Sequence, residues 1–301
     1  MLSIFYSDLQ WLIQKNDIVD LKHNKHELLQ RNLAGLENGP LNDLCQFMVS
    51  KNKFMLGTYY EALWEYYLSH HPDCELTAKN IQINDTSKKT NPTIGEMDFI
   101  YWHKSLKLYV HLEVAIKFYL EVKQQVENQP LSKWVGPKCN DRLDLKFNKL
   151  MDHQTALTQL ECTKQTIKPI IGDSPIISRA VLQGRLFVKF IDFVELNENY
   201  WFSLTDFERW FTNIQSQYQI SFLDKPHWLN LDYIDDCQKN ECLTLVNVLK
   251  MVNEQNFALP FILKHKNESD KPNKMIFIAP DQWPAKSDAV VTTVNENKND
   301  S

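Results

Sequence analysis

The sequence predicts an α/β fold on the basis of its composition and of two kinds of hydrophobic pattern. Of 301 residues, 43% are hydrophobic and 12% aromatic, which is typical of a globular protein. The length suffices for one large domain, or for a core with a smaller domain beside it. Between residues 54 and 190, segments whose apolar residues recur at helical spacing alternate with segments whose apolar residues recur at every second position. This order predicts a core of helix, three strands, helix and strand.

Residues 1–53 are predicted to form a helical segment that packs on this core. Three segments have apolar residues at helical spacing. The first ends at Ile13, the second runs from Leu21 to Leu33 and the third from Leu41 to Val49. Gly35 and the pair Gly39-Pro40 mark the break before the last of them.

The core is predicted to begin with a helix over LGTYYEALWEYYLSHHPD. Leu56, Tyr60, Leu63 and Tyr67 recur at helical spacing, so they form one apolar stripe. Glu61 lies beside this stripe, and we expect it either to point toward the acidic residues of the following strands or to be a solvated helix residue.

The strand with the strongest pattern covers residues 106–120, LKLYVHLEVAIKFYL. Its even positions are all apolar, whereas His111, Glu113 and Lys117 lie on the opposite face, because side chains alternate along a strand. The sequence therefore predicts a buried strand whose second face carries polar chemistry.

The acidic residues of neighbouring strands are the candidate metal ligands. Glu96 and Asp98 in GEMDF share one face by the same alternation. Mg²⁺ or Mn²⁺ requires oxygen ligands, which Asp98 and Glu113 can supply, with Glu96 or Glu61 completing the set. Lys117 would stabilise charge that develops on a phosphorus centre. The alternative is that the three strand acids are separate polar residues on a hydrated sheet face.

These motifs resemble a known family. The pattern GEMDF followed by HLEVAIKFYL resembles the acid, acid, lysine signature of the PD-(D/E)XK nuclease superfamily, whose core is helix, three strands, helix, strand. Together with LGTYYEALWEYYLSHHP and WVGPKCNDRLDLKFNKLMDHQ, it resembles the bacterial DUF1853 family within that superfamily. The resemblance is strongest over residues 54–190.

The resemblance implies roles for individual residues. Asp98 and Glu113 would be metal ligands, Lys117 the catalytic lysine and Glu61 the helix acid found in several branches. Ala115 stands where the superfamily usually has its lysine, so Lys117 would act from one strand repeat further along, about 7 Å away.

A basic segment follows the long strand, between Lys133 and Lys149. Because of their helical spacing, several of its residues could contact a phosphate backbone, and others could face the site. The predicted substrate-binding residues are Arg142, Lys146, Lys149, His153, Gln154 and His111. The alternatives are a solvated helix face whose cations pair with Asp141 and Asp144, and for His111 a buried histidine satisfied by a neighbouring side chain.

The rest of the chain is predicted to form an accessory region over residues 191–285 and a loose tail over 286–301. The formal net charge of −5 argues against an obligate nucleic-acid coat protein but not against a nucleic-acid enzyme. No stretch is apolar for long enough to cross a bilayer, and six scattered cysteines fit reduced thiols, so we expect a cytoplasmic protein.

Two functions lead from these observations. The first is a Mg²⁺- or Mn²⁺-dependent nuclease that hydrolyses phosphodiester bonds in DNA or RNA. The second is a nuclease-like module without turnover that binds nucleic acid or another partner. A hydrolase of other substrates or a structural protein is the third alternative, and the sequence does not determine the oligomeric state.

Overall fold

A computed structural model describes residues 2–19, 41–51, 55–123, 129–191, 199–226, 228–231, 242–268 and 271–284. The chain divides into two compact units. Unit 1 contains Met1–Ile116 and Phe147–Gly184, and unit 2 contains Lys117–Lys146 and Arg185–Ser301. The helix predicted between Leu21 and Leu33 and the tail predicted over 286–301 lie outside the described residues.

The described residues form a mixed α/β structure, as the sequence predicts. The helices are α1 (Leu2–Gln14), α2 (Leu41–Lys51), α3 (Leu56–His70), α4 (Leu143–Asn148), α5 (Glu161–Ile171), α6 (Leu204–Ile214) and α7 (Leu245–Asn253). The strands are β1 (Cys74–Asn84), β2 (Thr93–His103), β3 (Leu108–Glu121), β4 (Trp134–Val135), β5 (Ile176–Lys189), β6 (Tyr200–Ser203), β7 (Tyr218–Phe222), β8 (Leu259–His265) and β9 (Lys274–Ala279). None of the helices in the described part of the chain is both long and apolar enough to span a membrane.

Helix α3 is the central helix of unit 1, and its predicted apolar stripe of Leu56, Tyr60, Leu63 and Tyr67 is buried. Glu65 on α3 is not an isolated solvated residue. Its carboxylate oxygens contact the ammonium groups of Lys51 on α2 at 2.8 Å and Lys79 on β1 at 2.7 Å. These ion pairs connect α3 with the element before it and the strand after it.

The sheet of unit 1 has the strand order β1-β2-β3-β5. Strands β1, β2 and β3 are antiparallel, with Phe99 of β2 opposite Leu112 of β3. Every residue of β3 from Val110 to Ile116 is buried, as expected for a core strand, and this burial is at odds with the alternative of a hydrated face at Glu113. A six-residue π-helix over Lys149–Gln154 and a 3₁₀ helix over Leu157–Gln159 supply side chains that reach this region of the sheet.

Unit 2 contains a mixed sheet in the order β5-β6-β9-β8-β7. Strand β6 is parallel to β5 and β9, whereas β8 is antiparallel to both β7 and β9. Helix α6 begins directly after Ser203, whose side chain accepts a hydrogen bond from the Asp206 amide. Thr205 is not the cap, and it donates its hydroxyl to Asp281. Ser203 caps the helix because it directly precedes the first helical residue.

Candidate functional site

Two predicted ligands, Asp98 and Glu113, meet across β2 and β3 in unit 1. The Asp98 amide lies 3.4 Å from Oε1 of Glu113, and Oδ2 of Asp98 accepts a 2.9 Å hydrogen bond from the Val114 amide. The antiparallel register places the two residues next to each other, since Phe99 pairs with Leu112. Their proximity on neighbouring strands is as the sequence predicts.

Glu113 is hydrogen-bonded through both of its carboxylate oxygens. Oε1 lies 2.7 Å from Nε2 of His111, and Oε2 accepts a 2.7 Å hydrogen bond from Nε2 of Gln154. His111 and Glu113 share a strand face because they are two residues apart, and both are 0% exposed. A carboxylate buried in this way is stabilised by its hydrogen-bond partners.

The hydrogen bonds continue from His111 to two other elements. Nδ1 of His111 lies 3.3 Å from Oγ of Ser178 on β5, and this hydroxyl lies 2.9 Å from Oγ1 of Thr158 in the 3₁₀ helix. We call His111, Glu113, Gln154, Ser178 and Thr158 the Glu113 network. Its members come from β3, β5, the π-helix and the 3₁₀ helix.

The Glu113 network does not fit a Mg²⁺ or Mn²⁺ ion in this arrangement. Mg²⁺ can be held by one or two carboxylates, provided that oxygen lone pairs and water can reach the ion. Both oxygens of Glu113 are already bound and the side chain is 0% exposed, while one oxygen of Asp98 is bound to the backbone. Across the described residues, no group of three or more His, Cys, Asp or Glu side chains is placed to hold a metal.

The other two predicted metal ligands also belong to unit 1. Glu96 is exposed on β2 and accepts a 3.2 Å hydrogen bond from Asn80 of β1. Glu61 is half-buried on α3. The role of both residues as ligands stays a prediction.

Lys117, the predicted catalytic lysine, belongs to unit 2. Its ammonium donates a 2.5 Å hydrogen bond to Oδ2 of Asp141, and both side chains are about a third exposed or less. Asp141 also influences Tyr119, whose pKa is raised by burial first and by this neighbouring carboxylate second. Asp141 was not predicted as a partner of Lys117, because the two residues are 24 positions apart along the chain.

The predicted basic contacts differ widely in exposure. Arg142 is only 3% exposed and binds Asp144 through two hydrogen bonds, from Nε at 2.7 Å and Nη2 at 2.8 Å. An arginine held in this way is satisfied internally and is not available to a backbone phosphate. Lys146 is half-buried, whereas Lys149 and His153 are exposed.

Comparison with known proteins assigns the chain to a family. A family model described as a domain of unknown function, DUF1853, matches residues 7–273. The chain belongs to the DUF1853 family. No curated protein and no solved structure matches it. This result confirms the predicted family. The description of the family names no activity.

Proposed function

We propose that this DUF1853 protein binds nucleic acid through a nuclease-type core and that the Glu113 network stabilises the fold instead of holding a catalytic metal. The observation that carries the proposal is the state of Glu113. Its two carboxylate oxygens are bound by His111 and Gln154 in a fully buried position.

The energetics of a buried carboxylate support this proposal. Leaving a buried acceptor such as Glu113 without one of its hydrogen-bond donors costs about 1–3 kcal/mol, because the group has lost its water on burial and gains no other partner. A metal ion at Glu113 would have to replace the hydrogen bonds of His111 or Gln154 and bring its own water into a region without solvent. The network therefore favours retention of the present partners.

The nuclease-type core is supported by the order of elements. Helix α3, strands β1, β2 and β3, helix α5 and strand β5 follow one another in the order expected for the PD-(D/E)XK superfamily. Nucleic-acid binding is supported by an exposed lysine of unit 2 that lies against an aromatic ring, Lys138 over Phe257 at 5.2 Å. The free cysteines among the described residues, Cys45, Cys74, Cys139, Cys162 and Cys242, support a reducing compartment, and we propose the cytoplasm.

A Mg²⁺- or Mn²⁺-dependent nuclease is the second candidate. It is favoured by the meeting of Asp98 and Glu113 on adjacent strands, which is the arrangement that the acid, acid signature implies. The same two residues also distinguish the candidates, since only the second requires them for activity.

The test measures binding and cleavage on the same preparations. Plasmid, linear duplex, single-stranded DNA and RNA are incubated with the purified protein in Mg²⁺ or Mn²⁺, and binding is followed by fluorescence anisotropy. We expect binding without cleavage in the wild type, and unchanged affinity in folded Asp98→Asn and Glu113→Gln variants. Cleavage that both variants abolish would establish the second candidate, whereas the absence of binding to all four nucleic acids would overturn the first.

A further inference from the structure

Unit 2 brings together three lysines from separate chain segments. Lys117 lies on β3, Lys138 in the turn between β4 and α4, and Lys225 in the segment after β7. Lys138 and Lys225 are exposed, and Lys117 is partly exposed. Lys117 reaches the turn that carries Lys138, because its ammonium donates to Oδ2 of Asp141, whose carbonyl oxygen accepts a 2.8 Å hydrogen bond from the Gly136 amide. The charges of Lys117 and Lys138 also act on Lys225.

The turn that carries Lys138 is fixed by hydrogen bonds from distant parts of unit 2. The carbonyl oxygen of Pro137 accepts from the Ala258 amide at 3.0 Å and from Nε1 of Trp283 at 3.0 Å. The ammonium of Lys138 lies 5.2 Å from the ring centroid of Phe257, which is partly exposed. The position of this lysine is therefore set by packing and not by an ion pair.

Lys225 is placed by a cluster of aromatic rings. Its ammonium lies 4.9 Å from the ring centroid of Trp228. Trp228 packs edge-on against Phe118, the residue after Lys117, at 5.1 Å, and against Phe277 at 5.7 Å. These contacts hold the segment of Lys225 next to the end of β3.

The electrostatics of this group are unfavourable in the absence of an anion. The pKa of Lys225 is lowered, first because partial burial disfavours the ammonium form and then because Lys138 and Lys117 add positive charge nearby. Lys117 is paired with Asp141. Within the described part of the chain, neither Lys138 nor Lys225 forms an ion pair with a carboxylate. Two positive charges therefore remain uncompensated there.

We propose that Lys117, Lys138 and Lys225 form a binding site for a phosphate group of a nucleic-acid backbone. The inference rests on the proposed function and locates it on unit 2. A phosphate oxygen would relieve the repulsion among the amines, and lysine binds phosphate as a point charge without reading sequence. The partly exposed ring of Phe257 beside Lys138 offers a surface on which a base can stack.

The first test measures the affinity and its dependence on salt. Fluorescent duplex DNA, single-stranded DNA and RNA of one sequence are titrated with wild type, with the double variant Lys138→Gln/Lys225→Gln and with Lys250→Gln. Lys250 is the matched control, since it is an exposed lysine of unit 2 that lies 4.0 Å from Glu254. Urea unfolding verifies that each variant is folded.

The expected changes follow from counterion release. A duplex phosphate held at this site releases about 0.9 counterion, which corresponds to roughly an eightfold gain in affinity at 0.1 M salt. The double variant loses this phosphate contact, so it should bind duplex DNA about eightfold more weakly, and its salt slope should fall by about 0.9. Lys250→Gln should bind as the wild type does. Wild-type affinity and an unchanged slope in the folded double variant would overturn the site.

A second measurement separates failure of the site from failure of the proposed function. The Cε atom of Lys225, which is bonded to Nζ, is followed by ¹³C NMR during a pH titration, with and without inorganic pyrophosphate. Pyrophosphate should raise the pKa of Lys225 toward its ordinary value, because a bound anion favours the ammonium form. If no nucleic acid binds but the pKa rises, the proposed function fails and the anion site stands. If pyrophosphate leaves the pKa unchanged, the site is overturned.

Discussion

The Glu113 network makes a quantitative prediction about stability. In the variant His111→Ala, the buried carboxylate of Glu113 loses the hydrogen bond at 2.7 Å from Nε2 and retains the one from Gln154. Leaving a buried acceptor without one of its donors costs about 1–3 kcal/mol, so we expect a loss of this size in the free energy of unfolding. Glu113→Ala should also destabilise by about 1–3 kcal/mol, because it leaves the buried donor of His111 without this acceptor.

The double variant His111→Ala/Glu113→Ala distinguishes coupling from simple loss of packing. With the carboxylate gone, removal of the imidazole no longer leaves a buried acceptor without its donor. The double variant should therefore be less destabilised than the sum of the single variants, with a coupling energy of about 1–3 kcal/mol. Equilibrium urea unfolding, followed by the fluorescence of the eight tryptophans, measures each value.

Two results would refute this reasoning. The first is a loss below about 1 kcal/mol in His111→Ala, because a loss that small is close to what surface substitutions cause.

The second result concerns the metal. An ion bound only by the folded state at 100 times its dissociation constant stabilises by about 2.7 kcal/mol. Stabilisation of the wild type by millimolar Mg²⁺, absent in Glu113→Ala, would show that Glu113 holds a metal.

Three further predictions concern unit 1. Burial acts to raise the pKa of Glu65, but hydrogen bonds and charges from the lysines of α2 and β1 lower it below its ordinary value. Glu65→Gln should therefore lower the free energy of unfolding by about 1 kcal/mol at pH 7. In urea unfolding, the difference between variant and wild type should vanish as the pH falls through the lowered pKa. An unchanged difference at pH 3 would contradict this assignment. The Cys74 side chain is only 4% exposed, and this burial raises the pKa of its thiol to about 12. Dithionitrobenzoate at pH 8 should therefore label Cys74 only after unfolding, which peptide mapping would show. A methyl group added at Gly95 would lie 2.9 Å from the Cδ1 atom of the core residue Leu157. Gly95→Ala should therefore lower the free energy of unfolding by about 1–3 kcal/mol. An unchanged midpoint in urea would show that the leucine moves without cost.

Several elements could be predicted from the sequence because their patterns are local. The apolar stripe of α3 and the alternation in β3 each lie within one continuous segment, so helical and strand periodicity suffice to identify them. The meeting of Asp98 with Glu113 needed only one further assumption, that β2 and β3 are neighbours in the sheet. The family was also recognisable from these motifs.

The state of the candidate site could not be predicted in the same way. Strand alternation indicates that His111 and Glu113 share a face, but it does not indicate what covers that face. Gln154 is 41 residues from Glu113, and Ser178 is 67 residues from His111, so their contacts depend on how distant segments return to the sheet. Charged residues are mostly exposed in proteins, so a hydrated face was an open alternative for these residues.

The sequence by itself determined the periodicity of the elements, the family and the position of two acids on adjacent strands. Only the tertiary structure decided that Glu113 is buried with both oxygens bound, that Asp144 binds Arg142 from inside the fold, and that Trp228 near Lys225 packs against Phe118 of β3. The physical reason is that backbone geometry fixes which way a side chain points, whereas its protonation, its partners and its access to water depend on segments far away along the chain.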